Sequence, residues 1–152
     1  MITVNVEVRS KLWHKKIKNL KKYLNKKLNK ISKVVPTFKK KRLNFTILLT
    51  NSSNMRQLNR KFRNRNKPTD VLSFPFLPLS NLKLIKGKEI YIGDVALSYE
   101  VINLRSKKSN FIKEFDKVWV HGLLHLLGYK HFKNKDYIKM SKIEQKIANL
   151  IV

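Results

Sequence analysis

Three of the four histidines in this chain fall in one stretch, Val118–Phe132, which reads V-W-V-H-G-L-L-H-L-L-G-Y-K-H-F. His121 and His125 are four apart, so a helix sets them on one face, where both imidazoles reach a single point. Gly128 follows, and glycine readily takes the left-handed conformation that ends a helix. Past that turn the chain can fold back and bring His131 to the same point. Three neutral imidazoles with one open position make the usual catalytic zinc arrangement. A single histidine on an apolar helix face is usually a satisfied core residue, and a pair at i, i+4 arises easily by accident. A pair, then a glycine, then a third histidine inside an apolar run is a far more specific pattern. The stretch predicts a core helix, a glycine stop and a metal held by His121, His125 and His131.

The spacing H-x-x-x-H-x-x-G-x-x-H is that of the metzincin proteases, whose glutamate after the first histidine is the general base for peptide hydrolysis. Here that position is Gly122, which cannot accept a proton. The ligand set is present and the peptidase base is missing, which argues against peptide hydrolysis.

The pattern H-G-L-L-H-L-L-G-Y-x-H resembles the signature of the YbeY family, bacterial metal-dependent endoribonucleases of ribosomal RNA maturation. Leu58–Pro75, L-N-R-K-F-R-N-R-N-K-P-T-D-V-L-S-F-P, is similar to that family's second signature, and Ile92–Ser98, I-G-D-V-A-L-S, to a third block. The blocks come in family order, and the resemblance spans nearly the whole chain. One position departs: where the family usually has aspartate before the last histidine, this chain has Lys130. The resemblance implies the family's α+β fold, a single-strand-specific endoribonuclease acting in small-subunit rRNA processing and ribosome quality control, and a role in activity for Arg63.

At 152 residues the chain is long enough for one domain, 1–152, with one core. It contains no cysteine, so a metal must be held by His, Asp or Glu. No apolar run is long enough to span a bilayer, and Met1–Arg9 alternates instead of forming a signal-peptide core. A cytoplasmic location is expected, with no membrane partner. Lys and Arg number 35 against 9 Asp and Glu, a net charge of +26. Lys-, Asn- and Ile-rich coding bias explains part of that, but not the scarcity of acids. The charge predicts a polyanion partner, nucleic acid above all; the resemblance implies that the partner is ribosomal RNA and the small ribosomal subunit, with no DNA specificity expected.

Ile2, Val4, Val6 and Val8 alternate with polar residues, as in a half-buried strand. Lys11–Lys33 carries apolar residues at helical spacing, with Lys15, Lys18, Lys22, Lys26 and Lys30 lining the other side. His14 lies there, away from the cluster, as a surface residue. Pro36 and Lys39–Arg42 predict a loop. Leu43–Thr50 predicts a central strand. Asn51–Asn54 offers cap residues for a short helix through Met55, Leu58 and Phe62. Asn64–Asp70 predicts a loop and Val71–Phe76 an edge strand, because Pro75 and Pro78 cannot donate to a ladder. Leu77–Lys88 predicts a loop, and Glu89–Leu97 a strand with Gly93 at a bulge or close approach. Ser98 predicts the cap of a helix over Tyr99–Arg105, ended by Ser106–Asn110. Phe111–Leu127 is the core helix. Asn134 predicts the cap of a last helix, Lys135–Leu150, with Ile138, Ile143 and Ile147 inward. Together these predict an α/β (α+β) fold: one small mixed four-stranded sheet covered by helices, with the metal site on the core helix and the loop after it.

The chemistry expected of such a site is hydrolysis assisted by one Zn2+ per chain, or another divalent transition metal, acidifying water in the open position. Charge building on phosphoryl oxygens calls for a nearby cation. Arg63 matches the arginine of the family's second signature, and a guanidinium can hold phosphate bidentately. Metal-bound histidines usually donate their second N–H to a carboxylate or carbonyl. Lys130 cannot accept it, which leaves Asp70, Asp94 or a backbone carbonyl as candidates. The competing function is an RNA-binding ribosome-assembly factor with a structural metal, which a fourth protein ligand would favour.

Overall fold

The computed structural model describes residues 1–35, 41–76 and 89–152. The expected loops through Pro36 and Lys39 and over Leu77–Lys88, with Pro78, lie outside the described residues. Along the chain the elements are β1 (Ile2–Val8), α1 (Leu12–Lys16), α2 (Leu20–Val34), β2 (Arg42–Thr50), α3 (Ser52–Arg63), β3 (Val71–Pro75), β4 (Glu89–Ser98), α4 (Tyr99–Arg105), a 3₁₀ turn, α5 (Phe111–Leu126) and α6 (Asn134–Ile151).

The four strands form one sheet in the order β1-β2-β4-β3. β1, β2 and β4 are parallel, and β3 closes the edge antiparallel to β4. This is the mixed, helix-covered sheet that the pattern predicts, with β2 central and β3 at the edge. Because side chains alternate across a strand, the sheet separates two apolar clusters. One face carries Leu43, Phe45, Ile47 and Leu49 of β2 with Val95 and Leu97 of β4, packed in the main core with α2, α5 and α6. The other carries Leu72, Phe74 and Ala96 under Met55 and Leu58 of α3.

Two glycines fix how closely the layers approach. At Gly93 the register of β2 and β4 slips, so that Asn44 faces Tyr91 and Phe45 faces Gly93. Gly93 has φ +136°, and a Cβ there would sit 2.2 Å from the Phe74 carbonyl oxygen of β3. Both expectations for this residue, bulge and close approach, hold. Gly122 is the second. A Cβ on it would lie 2.5 Å from Val95 Cγ1 and 3.0 Å from Val71 Cγ2. Its carbonyl accepts a hydrogen bond from Ser73 Oγ at 2.9 Å. The position that lacks a peptidase base is therefore where the core helix presses against the sheet.

Asparagine side chains cap three helices. Asn19, Asn51 and Asn110 accept from the backbone N–H of Lys22, Asn54 and Lys113. The Asn19 cap explains one departure from expectation. Lys11–Lys33 is not one helix: Ile17 is extended, and Asn19 starts α2 afresh. An asparagine side chain competes with helix continuation by offering a local bond to the backbone. Other departures concern side chains. Ser98 precedes α4, but its hydroxyl makes no cap bond and has no hydrogen-bond partner among the described residues. Lys133, not Asn134, takes the cap position of α6. Phe62 and Ile138 are 57 % and 52 % exposed. Ile138 lies about 200° round α6 from buried Met140, so the two cannot both face inward.

Polar contacts lock the helical layer. Asp116 on α5 accepts from Tyr23 Oη, Lys27 Nζ and Trp119 Nε1, and Lys27 also donates to the Ile151 carbonyl at the end of α6. Burial first, then the Asp116 charge, push the Tyr23 phenol well above its ordinary pKa. Among the described residues no helix is long and apolar enough to cross a membrane.

Candidate metal centre and active site

His121 and His125 lie on the last two turns of α5, both half-buried. α5 ends in a Schellman turn: Gly128, at φ +85°, donates its N–H to the His125 carbonyl, and Tyr129 donates to the Leu124 carbonyl, each at 3.0 Å. That turn reverses the chain and places His131 beside the other two. The His131 ring centroid is 4.7 Å from that of His125 and 5.6 Å from that of His121. One ligand nitrogen from each residue falls within 4.8 Å of the others.

Each helical imidazole is oriented by its far nitrogen. His121 Nδ1 donates to Glu144 Oε1 at 2.6 Å, and His125 Nδ1 donates to the Tyr129 carbonyl at 2.9 Å. In the neutral form of each ring, with its one proton committed there, both Nε2 atoms carry lone pairs, and they face each other 3.0 Å apart. Two lone pairs at that separation repel unless a cation lies between them. Two nitrogens bound tetrahedrally to one zinc at the usual bond length would be about 3.3 Å apart. The donor set therefore fits a divalent metal.

Burial, and after it the His121 charge, lower the pKa of His125 below its ordinary value; the Tyr129 carbonyl opposes this, and His131 and Arg63 add to it. The result favours the neutral, ligating form. It also places Arg63 within electrostatic reach of the cluster. Arg63 is the exposed last residue of α3, where Asn64 takes the left-handed conformation at φ 54°. Among the described residues it forms no ion pair with a carboxylate.

Neither aspartate offered as a support for the ligands serves as one. Asp70 is bound to Arg105 and to the Val71 N–H, and Asp94 to Tyr91 Oη. The carboxylate that holds His121 is Glu144, which the sequence reading missed. Its signal was there: Glu144 lies four residues from buried Met140 and three from buried Ile147, an acid on the inward stripe of α6. For His125 the acceptor is a backbone carbonyl, one of the alternatives the sequence left open. Lys130 is exposed and takes no part in orienting the histidines. With Tyr129, Asp136 and Lys139 it lines a hollow of about 250 Å³. His14 is exposed and remote from the cluster.

The family model described as endoribonuclease YbeY matches residues 5–151. A curated endoribonuclease YbeY of Pelagibacter ubique is 44 % identical over 99 % of this chain and 97 % of its own length. Its counterpart in Thermodesulfovibrio yellowstonii is 34 % identical over 95 % and 89 %. The solution structure of a Thermotoga maritima protein superposes with a TM-score of 0.60 at 23 % identity, covering 99 % of this chain and 89 % of that one, and so shares the fold.

Proposed function

The chain belongs to the endoribonuclease YbeY family, and from that premise we propose that it is a zinc-dependent, single-strand-specific endoribonuclease of small-subunit rRNA maturation and ribosome quality control. The observation that carries the metal dependence is the pair of Nε2 lone pairs facing each other at 3.0 Å with both Nδ1 protons committed elsewhere. His121, His125 and His131 would hold the ion. Among the described residues no fourth histidine or carboxylate joins them, which supports an open, catalytic site over a closed structural one. When bound, the ion supplies Lewis acidity to the scissile phosphodiester.

The remaining work falls to the chain. Glu144 and the Tyr129 carbonyl hold the imidazoles in the ligating tautomer and orientation. Arg63, within electrostatic reach of the cluster and without a carboxylate partner among the described residues, grips the phosphate and neutralises charge as it builds on the phosphoryl oxygens. With glycine at position 122, no carboxylate follows the first histidine, in keeping with a phosphodiester substrate. The net charge of +26 draws in RNA from a distance. In this reading residues 1–152 act as one domain, in the cytoplasm, on precursor rRNA of the small ribosomal subunit.

The test is metal analysis together with an RNA-cleavage assay on the wild type and on His125→Ala. About one divalent ion per chain and metal-dependent cleavage are expected in the wild type, with both lost in the variant. A His125→Ala protein that keeps stoichiometric metal and cleaves RNA as before would overturn the assignment.

A further inference from the structure

The loop that delivers His131 also carries Phe132, which is 87 % exposed, the most exposed aromatic side chain among the described residues. An apolar residue at this point, just before the cap of a helix, ordinarily forms a staple with the residue five places on. That partner would be Tyr137, itself 62 % exposed. Among the described residues, however, the only ring in contact with Phe132 is His131, edge-on at 5.8 Å between centroids. The phenyl faces are thus left open beside the metal ligands. Burying a phenylalanine side chain is worth roughly 1.5–3 kcal/mol, so folding gains little from this residue where it stands. The chain on either side of it is basic: Lys130, Lys133 and Lys135 are all exposed, and along the sequence no acid occurs between Asp116 and Asp136.

An open aromatic face set among cations is how proteins bind unpaired nucleic acid without reading its sequence. Every base has a π-face, and neighbouring lysines take the phosphates. A base inside a duplex is covered by its neighbours above and below and cannot offer that face.

We propose that Phe132 is a base-stacking subsite: it receives the unpaired base of a nucleotide adjoining the phosphate held at the histidine cluster, with Lys130 and Lys133 contacting the flanking phosphates. The inference rests on the endoribonuclease reading for its ligand, single-stranded RNA, and supplies a physical basis for choosing single strands at that site.

The probe is a short single-stranded 2′-O-methyl oligoribonucleotide carrying 2-aminopurine, whose fluorescence is quenched on stacking. It is titrated into the metal-loaded wild type and into Phe132→Ala, Phe132→Leu and Phe132→Trp. Base–aromatic stacking is worth about 1–3 kcal/mol, which is roughly 5- to 150-fold in affinity at 1.4 kcal/mol per tenfold. Alanine and leucine should both lose that affinity and the quenching, and tryptophan should keep both. A blunt RNA duplex should bind all four proteins alike. Equal affinity of wild type and Phe132→Ala for the single strand overturns the subsite, as does full binding by Phe132→Leu, which keeps apolar bulk but offers no ring. Wild type that quenches the probe but cleaves no RNA supports the subsite while defeating the nuclease reading, so the two fail separately.

Discussion

Glu144 touches His121 through the nitrogen that faces away from the ligand cluster. Its effect should therefore appear in metal affinity before anything else. Glu144→Ala is expected to keep the fold and weaken metal binding by about 10- to 100-fold, read by competition with a chelator. Glu144→Gln, which retains an acceptor oxygen, should fall between. Unchanged affinity in the alanine variant would mean that His121 needs no support. Arg63 should behave in the opposite way. It is exposed and forms no ion pair among the described residues, so Arg63→Ala should leave metal content and melting temperature alone. Losing one electrostatic contact to the developing charge costs about 3 kcal/mol, or about a hundredfold in cleavage rate. Lysine should rescue in part, keeping the charge without the fork. Undiminished cleavage by Arg63→Ala would move the phosphate grip to another cation.

At the scale of elements, the two glycines set the spacing on which the site depends. Gly93→Ala puts a methyl group against the Phe74 carbonyl and asks alanine to adopt φ +136°. A backbone oxygen held in the β3–β4 ladder cannot move aside, so β3 should detach or the protein fail to fold, seen as a collapsed urea midpoint. Gly122→Ala is milder, since the atoms in its way are side-chain methyls of Val95 and Val71. Helix propensity gains about 1 kcal/mol from the change, whereas overpacking typically costs about 1–3 kcal/mol. Because β-branched valines are stiff at χ1, the clash should win. Equilibrium unfolding should show net destabilisation, and a stabilised variant would show that α5 can lift off the sheet freely. For the same reason a glutamate at 122 would break the packing of α5 before it could act as a base.

Over the whole molecule, the largely buried Lys27–Asp116 pair, with side chains 14 % and 12 % exposed, ties α2, α5 and α6 together. Lys27→Met removes one partner and leaves Asp116 charged in a nearly dry site. A loss of about 3–5 kcal/mol is expected, measured by chemical denaturation; a loss below 1 kcal/mol would mean that Tyr23 and Trp119 satisfy the carboxylate alone. The pH response of the metal-free protein follows from His125. Its pKa is lowered in the fold, so the unfolded chain takes up a proton at higher pH than the folded one does. The corresponding stability is present above the ordinary histidine value of about 6.5 and is lost as pH falls below it towards the lower folded value. The melting temperature should therefore drop from pH 8 to pH 5, and His125→Gln should drop less. An identical slope in the variant would place the sensitivity elsewhere.

The histidine cluster was legible because its geometry is local: helix pitch sets His121 above His125, and one left-handed glycine returns His131, all within Val118–Phe132. The strands were legible for the same reason, since alternation and apolar runs show in a few residues of sequence. What the sequence left open depends on residues far apart along the chain. Glu144 meets His121 only because α6 packs across α5. Gly122 read as a missing base, and only the sheet beneath it shows a close packing contact. Asp70 and Asp94 looked available until Arg105 and Tyr91 claimed them. Periodicity states which residues prefer burial; which partner each one meets is set by how helices and sheet settle against one another, and that is decided only when the whole chain packs.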